Sequence, residues 1–248
     1  MKKYTCKYKV RNFETNLKNE LSEVYLLKYL SEIAIDHSES VNINFSKLSN
    51  AKMGWMINSY KAQIDEYPKL YEEFKIITWT SKIYKFYANR EFIILNSKDD
   101  VIGKVSSLWI YVDLNKRMPK RIPKEYEEYF GIIEEFNFKE FSDLEESFIE
   151  NDYKEFFVRR SDIDNNKHVN NSNYFEWMIE LIPEEVYNNY CLKMFDINYK
   201  KETVYKDQIN SLIKENNVND NEIVYNHIIR DKTSEELKCI GKTIWEKR

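Results

Sequence analysis

At an offset of 148 residues the stretch from Val10 to Ile33 lies over that from Val158 to Leu181 without a gap. Val10-Arg11 falls over Val158-Arg159, Glu14 over Asp162, Leu21 over Val169, Tyr29 over Trp177, Leu30 over Met178, Glu32 over Glu180 and Ile33 over Leu181. A repeat of this length fixes architecture before any motif is considered, because one supersecondary unit has been written twice. Each copy opens with a strand pattern (residues 8–11 and 156–159), passes through a polar loop and enters a helical segment (22–35 and 171–182). Apolar residues such as Val24, Leu26, Leu27, Leu30 and Ile33 occur on nearly every side of the first segment, which predicts a helix surrounded by protein. Pro183 marks the end of the second.

Strand-like runs follow each helix, at 55–63, 74–80, 87–95 and 102–112, then at 194–199, 208–214, 222–230 and 237–245. The last run of each set repeats a hydroxyl residue, an apolar residue and Trp, as Ser107-Leu108-Trp109 and Thr243-Ile244-Trp245. A strand, a buried helix and a run of antiparallel strands is α+β architecture: a curved sheet gripping a helix, made twice in tandem. The expected domains are 1–135 and 136–248, joined through an acidic, Phe-rich connector at 124–151 that shows no strong periodicity.

With 15% aromatic residues and only 4 Gly and 4 Pro in 248 residues, the chain can build a core and is neither disordered nor collagen-like. A net charge of -4 argues against a general nucleic-acid binder. No run has the length of a signal peptide core or a membrane span, so a cytoplasmic protein that does not bind membranes is expected. Cys6, Cys191 and Cys239 are odd in number and far apart, which leaves neither a disulfide framework nor a CxxC metal site.

The loop into the second helix places Asp164, Asn166 and His168 at alternate positions, so in an extended segment all three side chains share one side. Histidine moves protons near neutral pH, a carboxylate orients it, and an amide both donates and accepts. The helix N-terminus that follows favours developing negative charge. The first copy carries Asn16, Lys18 and Glu20 at these offsets, so one competent site per chain, in the C-terminal copy, is expected.

Read from Arg159 to Tyr174 as Arg-x-Ser-Asp-Ile-Asp-x-Asn-x-His-Val-Asn-Asn-x-x-Tyr, this segment resembles the acyl-acyl carrier protein thioesterases of plants and bacteria. The resemblance continues through Glu176-Trp177 to Pro183 and includes Gly54-Trp55, Tyr67-Pro68, Thr78-Trp79, Arg90-Glu91-Phe92, Ser107-x-Trp109 and residues 117–123. It implies a double hotdog fold, with catalysis in the C-terminal domain and an acyl slot in the N-terminal one. It assigns Asp164, Asn166 and His168 to the family's Asp-x-Asn-x-His, and Glu202, ending Tyr199-Lys200-Lys201-Glu202, to its catalytic Glu. Many relatives follow that Glu with Cys; Thr203 stands here, which favours water as the nucleophile. Candidate slot residues are Met53, Trp55, Met56 and Ile57.

The implied partner is acyl carrier protein bearing a phosphopantetheine-linked acyl chain, with no cofactor or metal, and a homodimer is compatible with this. Because carrier proteins are acidic, docking calls for a basic patch. Lys116, Arg117, Lys120 and Arg121 form one, and Lys193, Lys200 and Lys201 another. The rivals are an acyl-coenzyme A thioesterase or a dehydratase of the same fold, and an acyl-binding protein without turnover.

Overall fold

Both copies of the repeat build the same opening of outermost strand, capped 3-10 turn, pinched loop and helix. The structure, a computed structural model, describes residues 3–219 and 221–248. In the first copy the elements are β1 (Tyr4–Lys9), a 3-10 turn at Asn12–Glu14 and α1 (Glu23–Ser40); in the second they are β7 (Asp152–Phe157), a turn at Arg160–Asp162 and α4 (Asn171–Ile179). The strands stop short of Arg11 and Arg159, which cap the turns instead. The chain divides into two units, Met1–Asn58 with Ala62–Glu140 and Ser59–Lys61 with Phe141–Arg248.

In the first unit β2 (Met53–Ile64), β3 (Glu73–Tyr84), β4 (Tyr87–Leu95) and β5 (Val101–Asp113) join β1 in the order β1-β3-β4-β5-β2. The pairs β1/β3, β3/β4 and β4/β5 are antiparallel. Leu26, Leu27, Leu30 and Ile33 of α1 are buried, and the helix packs on β1 and β3. α1 runs five residues beyond the expected end, through Asp36-His37-Ser38-Glu39-Ser40. The apolar period fails there, but the turn persists because Ser38 Oγ donates to Ala34 O (2.9 Å) and Arg90 Nη1 donates to buried His37 Nδ1 (2.8 Å).

The second unit repeats the plan with α5 (Glu184–Asn189), β8 (Tyr190–Tyr199), β9 (Gln208–Asn219), β10 (Glu222–Asp231) and β11 (Leu237–Lys247), ordered β8-β11-β10-β9-β7. α4 ends three residues before its expected limit, and Pro183 caps α5 rather than closing α4. Gly241 lets α4 approach the sheet, since a Cβ there would lie 2.8 Å from Met178 Sδ. The repeated hydroxyl-x-Trp pattern has a physical basis. Residues two apart on a strand share a face, so Trp109 Nε1 donates to Ser107 Oγ (2.8 Å) and Trp245 Nε1 to Thr243 Oγ1 (3.0 Å).

The connector is ordered by bonds rather than by periodicity; it follows β6 (Met118–Pro119) and opens with a short helix α3 (Glu125–Phe130). In the first unit Asn137 N donates to buried Glu91 Oε2 (3.1 Å), whose other donors are Ser81 and Ser106. In the second, Ser142 Oγ donates to buried Asp196 Oδ2 (2.8 Å). Together these two class-defining units, each an antiparallel sheet around a helix, make the fold α+β, a tandem hotdog.

His227 on β10 is fully buried and His37 nearly so, and both have pKa values lowered to about 3. Burial is the main cause for each, with the Arg90 charge adding to it at His37. The unfolded chain titrates its histidines near ~6.5, so below that pH it binds protons the fold refuses. Stability therefore falls as pH drops from ~6.5 towards the folded values, by up to ~1.4 kcal/mol per pH unit for each histidine. Glu91 and Asp196, raised by burial, act in the opposite sense. Comparing His227→Gln with the parent isolates one histidine. Urea unfolding at pH 7.5 and 5.0 should show the variant losing about 1–2 kcal/mol less between the two than the parent does; equal losses would refute the account.

Candidate active site

The loop after the second 3-10 turn is held by one buried carboxylate. Asp162, 2% exposed, accepts from Arg159 N (2.7 Å) and from both Nε and Nη2 of the Arg159 guanidinium (3.1 and 2.8 Å to Oδ1). Its backbone carbonyl receives Asn170 N (2.8 Å) and Asn173 Nδ2 (2.9 Å), which ties the end of the loop and α4 to the turn. Asn170 caps α4 through Ser172 N (3.0 Å).

Between these anchors the chain is not extended, as the alternating spacing suggested, but folded into a tight turn bridged by Ile163 and Val169. Asp164 Oδ1 accepts from Asn166 N (2.8 Å) and His168 N (3.3 Å), while Asp164 N donates to His168 O (2.8 Å) and Lys167 adopts φ 68°. A short side-chain acceptor competes with the extended backbone for those N–H groups and wins. The first unit builds the same turn with Asn16, whose Oδ1 accepts from Lys18 N (2.9 Å) and Glu20 N (3.2 Å), and with Asn19 at φ 57°.

The turn sets the three side chains apart. Asp164 faces into the loop, and Asn166 is exposed with Nδ2 3.4 Å from Asp164 Oδ2. His168 reaches across to another element: its Nε2 lies 3.2 Å from Glu202 Oε2, with the two side chains 28% and 27% exposed. Sequence positions 34 residues apart thus meet at a half-buried contact that both water and a small reactant can approach.

Glu202 lies not on the strand but three residues beyond the end of β8. Lys200 N and Lys201 N donate to Lys238 O (2.8 and 3.1 Å), and buried Lys238 donates through Nζ to Glu202 O (3.2 Å) and to Glu236 Oε2 (2.7 Å). On the other side Val169 N donates to Thr203 O (2.9 Å), joining the Glu202 segment to the His168 loop. Tyr199 Oη donates to Asn171 O (3.1 Å) at the start of α4, and its burial raises the phenol pKa well above the usual range. Sequence reasoning did not single out Lys238; the available signal was a lysine inside the apolar run Leu237-Lys-Cys-Ile-Gly. Thr203 is fully buried, and burial raises the Cys239 thiol, so neither presents a nucleophile. Among the described residues no three His, Cys, Asp or Glu side chains gather as a metal ion requires.

The remaining predicted residues lie in the first unit. Met53 and Trp55 pack on the buried cluster of Ala88, Tyr111 and Ile122, with the Trp55 and Tyr111 rings 5.0 Å apart. Ile57 is buried as well, but Met56 occupies an alternate position on β2 and is 37% exposed. Lys116, Arg117, Lys120 and Arg121 are all exposed around the turn from β5 to β6, which Asp113 Oδ1 shapes by accepting from Asn115 N and Lys116 N (both 3.0 Å). The alternative basic group is largely neutralised: Lys200 pairs with Glu146 (2.7 Å) and Lys201 with Glu236.

A tandem hotdog whose second unit alone sets an imidazole against a carboxylate is a recognisable class of protein, and comparison with known families narrows it. The sequence model described as acyl-ACP thioesterase N-terminal domain matches residues 1–130, and that of the C-terminal domain matches 145–247. The chain belongs to the acyl-ACP thioesterase family. It is 24% identical to a palmitoyl-acyl carrier protein thioesterase of cotton (Gossypium hirsutum), covering 98% of this chain and 63% of the cotton protein. It is also 24% identical to oleoyl-acyl carrier protein thioesterase 2 of Arabidopsis thaliana, over 99% and 77% of the two chains. Among solved structures, an acyl-ACP thioesterase of Bacteroides thetaiotaomicron superposes with a TM-score of 0.88 at 24% identity, over 99% of this chain and 98% of the other. The 12:0-ACP thioesterase of Umbellularia californica gives 0.87 at 18% identity, over 99% and 94%.

Because Asn16 closes the equivalent turn, Asp164→Asn should keep the loop and its stability, whereas Asp164→Ala should lose about 1–2 kcal/mol by leaving two N–H groups without their acceptor. Urea unfolding of both variants tests this, and an Asn variant as unstable as the Ala variant would contradict it.

Proposed function

We propose that the chain hydrolyses acyl-acyl carrier protein thioesters to free fatty acid and the carrier's thiol, at a site made of Asp164, Asn166, His168 and Glu202. The contact between His168 Nε2 and Glu202 Oε2 at 3.2 Å carries this reading. Family membership supports it, as does the resemblance of the segment from Arg159 to Tyr174 and of Tyr199-Lys200-Lys201-Glu202 to the family's motifs.

In the mechanism Glu202 takes a proton from water as the water oxygen attacks the thioester carbonyl. The oxyanion that forms is met by the Asn166 amide and the positive end of α4, which begins three residues past His168. Collapse breaks the carbon–sulfur bond; His168, in contact with Glu202, gives a proton to the leaving sulfur and takes back the one that Glu202 removed from water, which restores both groups. Asp164 holds the backbone N–H groups of Asn166 and His168, so its task is to keep those two side chains aimed. Water is the nucleophile, in keeping with a buried Thr203 in the place where many relatives carry Cys.

The acyl slot is assigned to Met53, Trp55, Met56 and Ile57 of the first unit, whose apolar side chains suit a hydrocarbon chain. Lys116, Arg117, Lys120 and Arg121 meet the acidic carrier.

His168→Ala and Glu202→Ala should each lower kcat on acyl-carrier substrates by about 100-fold or more while the circular dichroism spectrum is unchanged. Full turnover in both would sink the assignment. Lys120→Glu with Arg121→Glu should raise the apparent KM for carrier-linked substrate several-fold and spare small thioesters; the same effect on both substrates would remove docking from this turn.

A further inference from the structure

Within the second unit, the two loops that carry His168 and Glu202 also carry cations that the fold leaves without acidic partners. Arg160 Cζ sits 4.8 Å and Lys206 Nζ 5.6 Å from the centroid of the same ring, Tyr205. Lys206 N donates to Val158 O (3.3 Å), which joins the Glu202 loop to the turn bearing Arg160. Lys167 directly precedes His168, and all three cations are exposed. Among the described residues none of the three is in an ion pair, whereas their neighbours Arg159, Lys200, Lys201 and Lys238 all are. The nearby Asp207 carboxylate is engaged by Val204 N (2.9 Å).

Two exposed cations gathered at one ring make a local positive potential that favours an arriving anion. The chemistry fits a phosphate: a guanidinium offers a planar fork, a lysine a mobile point charge, and the tyrosine ring restrains both. Position fits as well. Lys206 is four residues from Glu202, so their Cα atoms are at most ~14 Å apart, within reach of an extended pantetheine arm whose sulfur lies at the reacting pair.

We propose that Arg160, Lys206 and Lys167 bind the phosphate of the carrier protein's phosphopantetheine arm while the thioester lies at His168 and Glu202. This rests on the hydrolase reading above and adds to it a subsite for the arm, separate from the carrier-docking turn of the first unit. The phosphate anchors the arm at one end and the carbonyl is held at the other.

The test compares the parent with Arg160→Gln/Lys206→Gln on one acyl group carried by acyl carrier protein, by coenzyme A and by pantetheine, which has no phosphate. The variant should lose about 10-fold or more in kcat/KM on the carrier substrate, mostly through KM, and change less than about twofold on the pantetheine ester. Equal losses on both, or none on the carrier substrate, would overturn the assignment, and a loss confined to coenzyme A would transfer the phosphate to that ligand and overturn it equally. A second arm needs no turnover. Calorimetry with carrier protein bearing an alkyl thioether on its arm should show about 10-fold weaker binding to the variant, while binding of carrier without the arm is unchanged. Equal weakening of both would mean that the cations touch the carrier itself. Hydrolysis absent from the parent, with this binding pattern intact, would retire the hydrolase reading and leave the phosphate subsite standing.

Discussion

The second unit depends on the buried carboxylate of Asp162. Removing such a group from water costs several kcal/mol unless its oxygens are met by donors, and here a backbone N–H and a forked guanidinium meet both. The same residue's carbonyl then fixes Asn170 and Asn173, so one side chain joins strand end, loop and helix start. Glu14 does the corresponding work in the first unit with a different set, accepting from Arg11 N (2.7 Å) and from Tyr29 Oη (2.8 Å). The longer side chain reaches a helix phenol where the shorter one reaches an arginine.

From that anchor the contact between His168 and Glu202 gains position without being sealed away. His168 is placed by backbone bonds on its own loop, and Glu202 by the bonds that Lys238 and Val169 make to its segment. Neither residue relies on the other for its location. Their side chains are therefore positioned independently by a surrounding backbone that each loop fixes for itself.

Much of this was legible because repeats and motifs are local records of long-range design. The helix starts expected at residues 22 and 171 are found at Glu23 and Asn171, and the eight runs after the helices each correspond to a strand. The meeting of His168 with Glu202 followed from resemblance rather than from periodicity, since no pattern in one chain reveals which loops face each other. What escaped has identifiable physical causes. Alternation at Asp164, Asn166 and His168 looked extended because spacing carries no record of the side-chain acceptor that folds the turn. The polar tail of α1 lacks an apolar period because the residue it buries is His37, held by the Arg90 guanidinium and by the rings of Tyr4 and Phe130. Lys238 was overlooked because the distant one of its two acceptors is the backbone carbonyl of Glu202, 36 residues away, which leaves no mark in the residue types; the other is the Glu236 carboxylate two residues before it.

The pinched turn has a wider meaning for a tandem protein. Its closure needs only an oxygen on the first residue, which asparagine and aspartate supply alike, and it makes no demand on the residue four places later, where one unit has Glu20 and the other His168. Reactivity is thus detachable from foldability at this spot. Either half can exchange the side chain presented at that position and keep its shape, so two copies of one fold are free to diverge there without refolding.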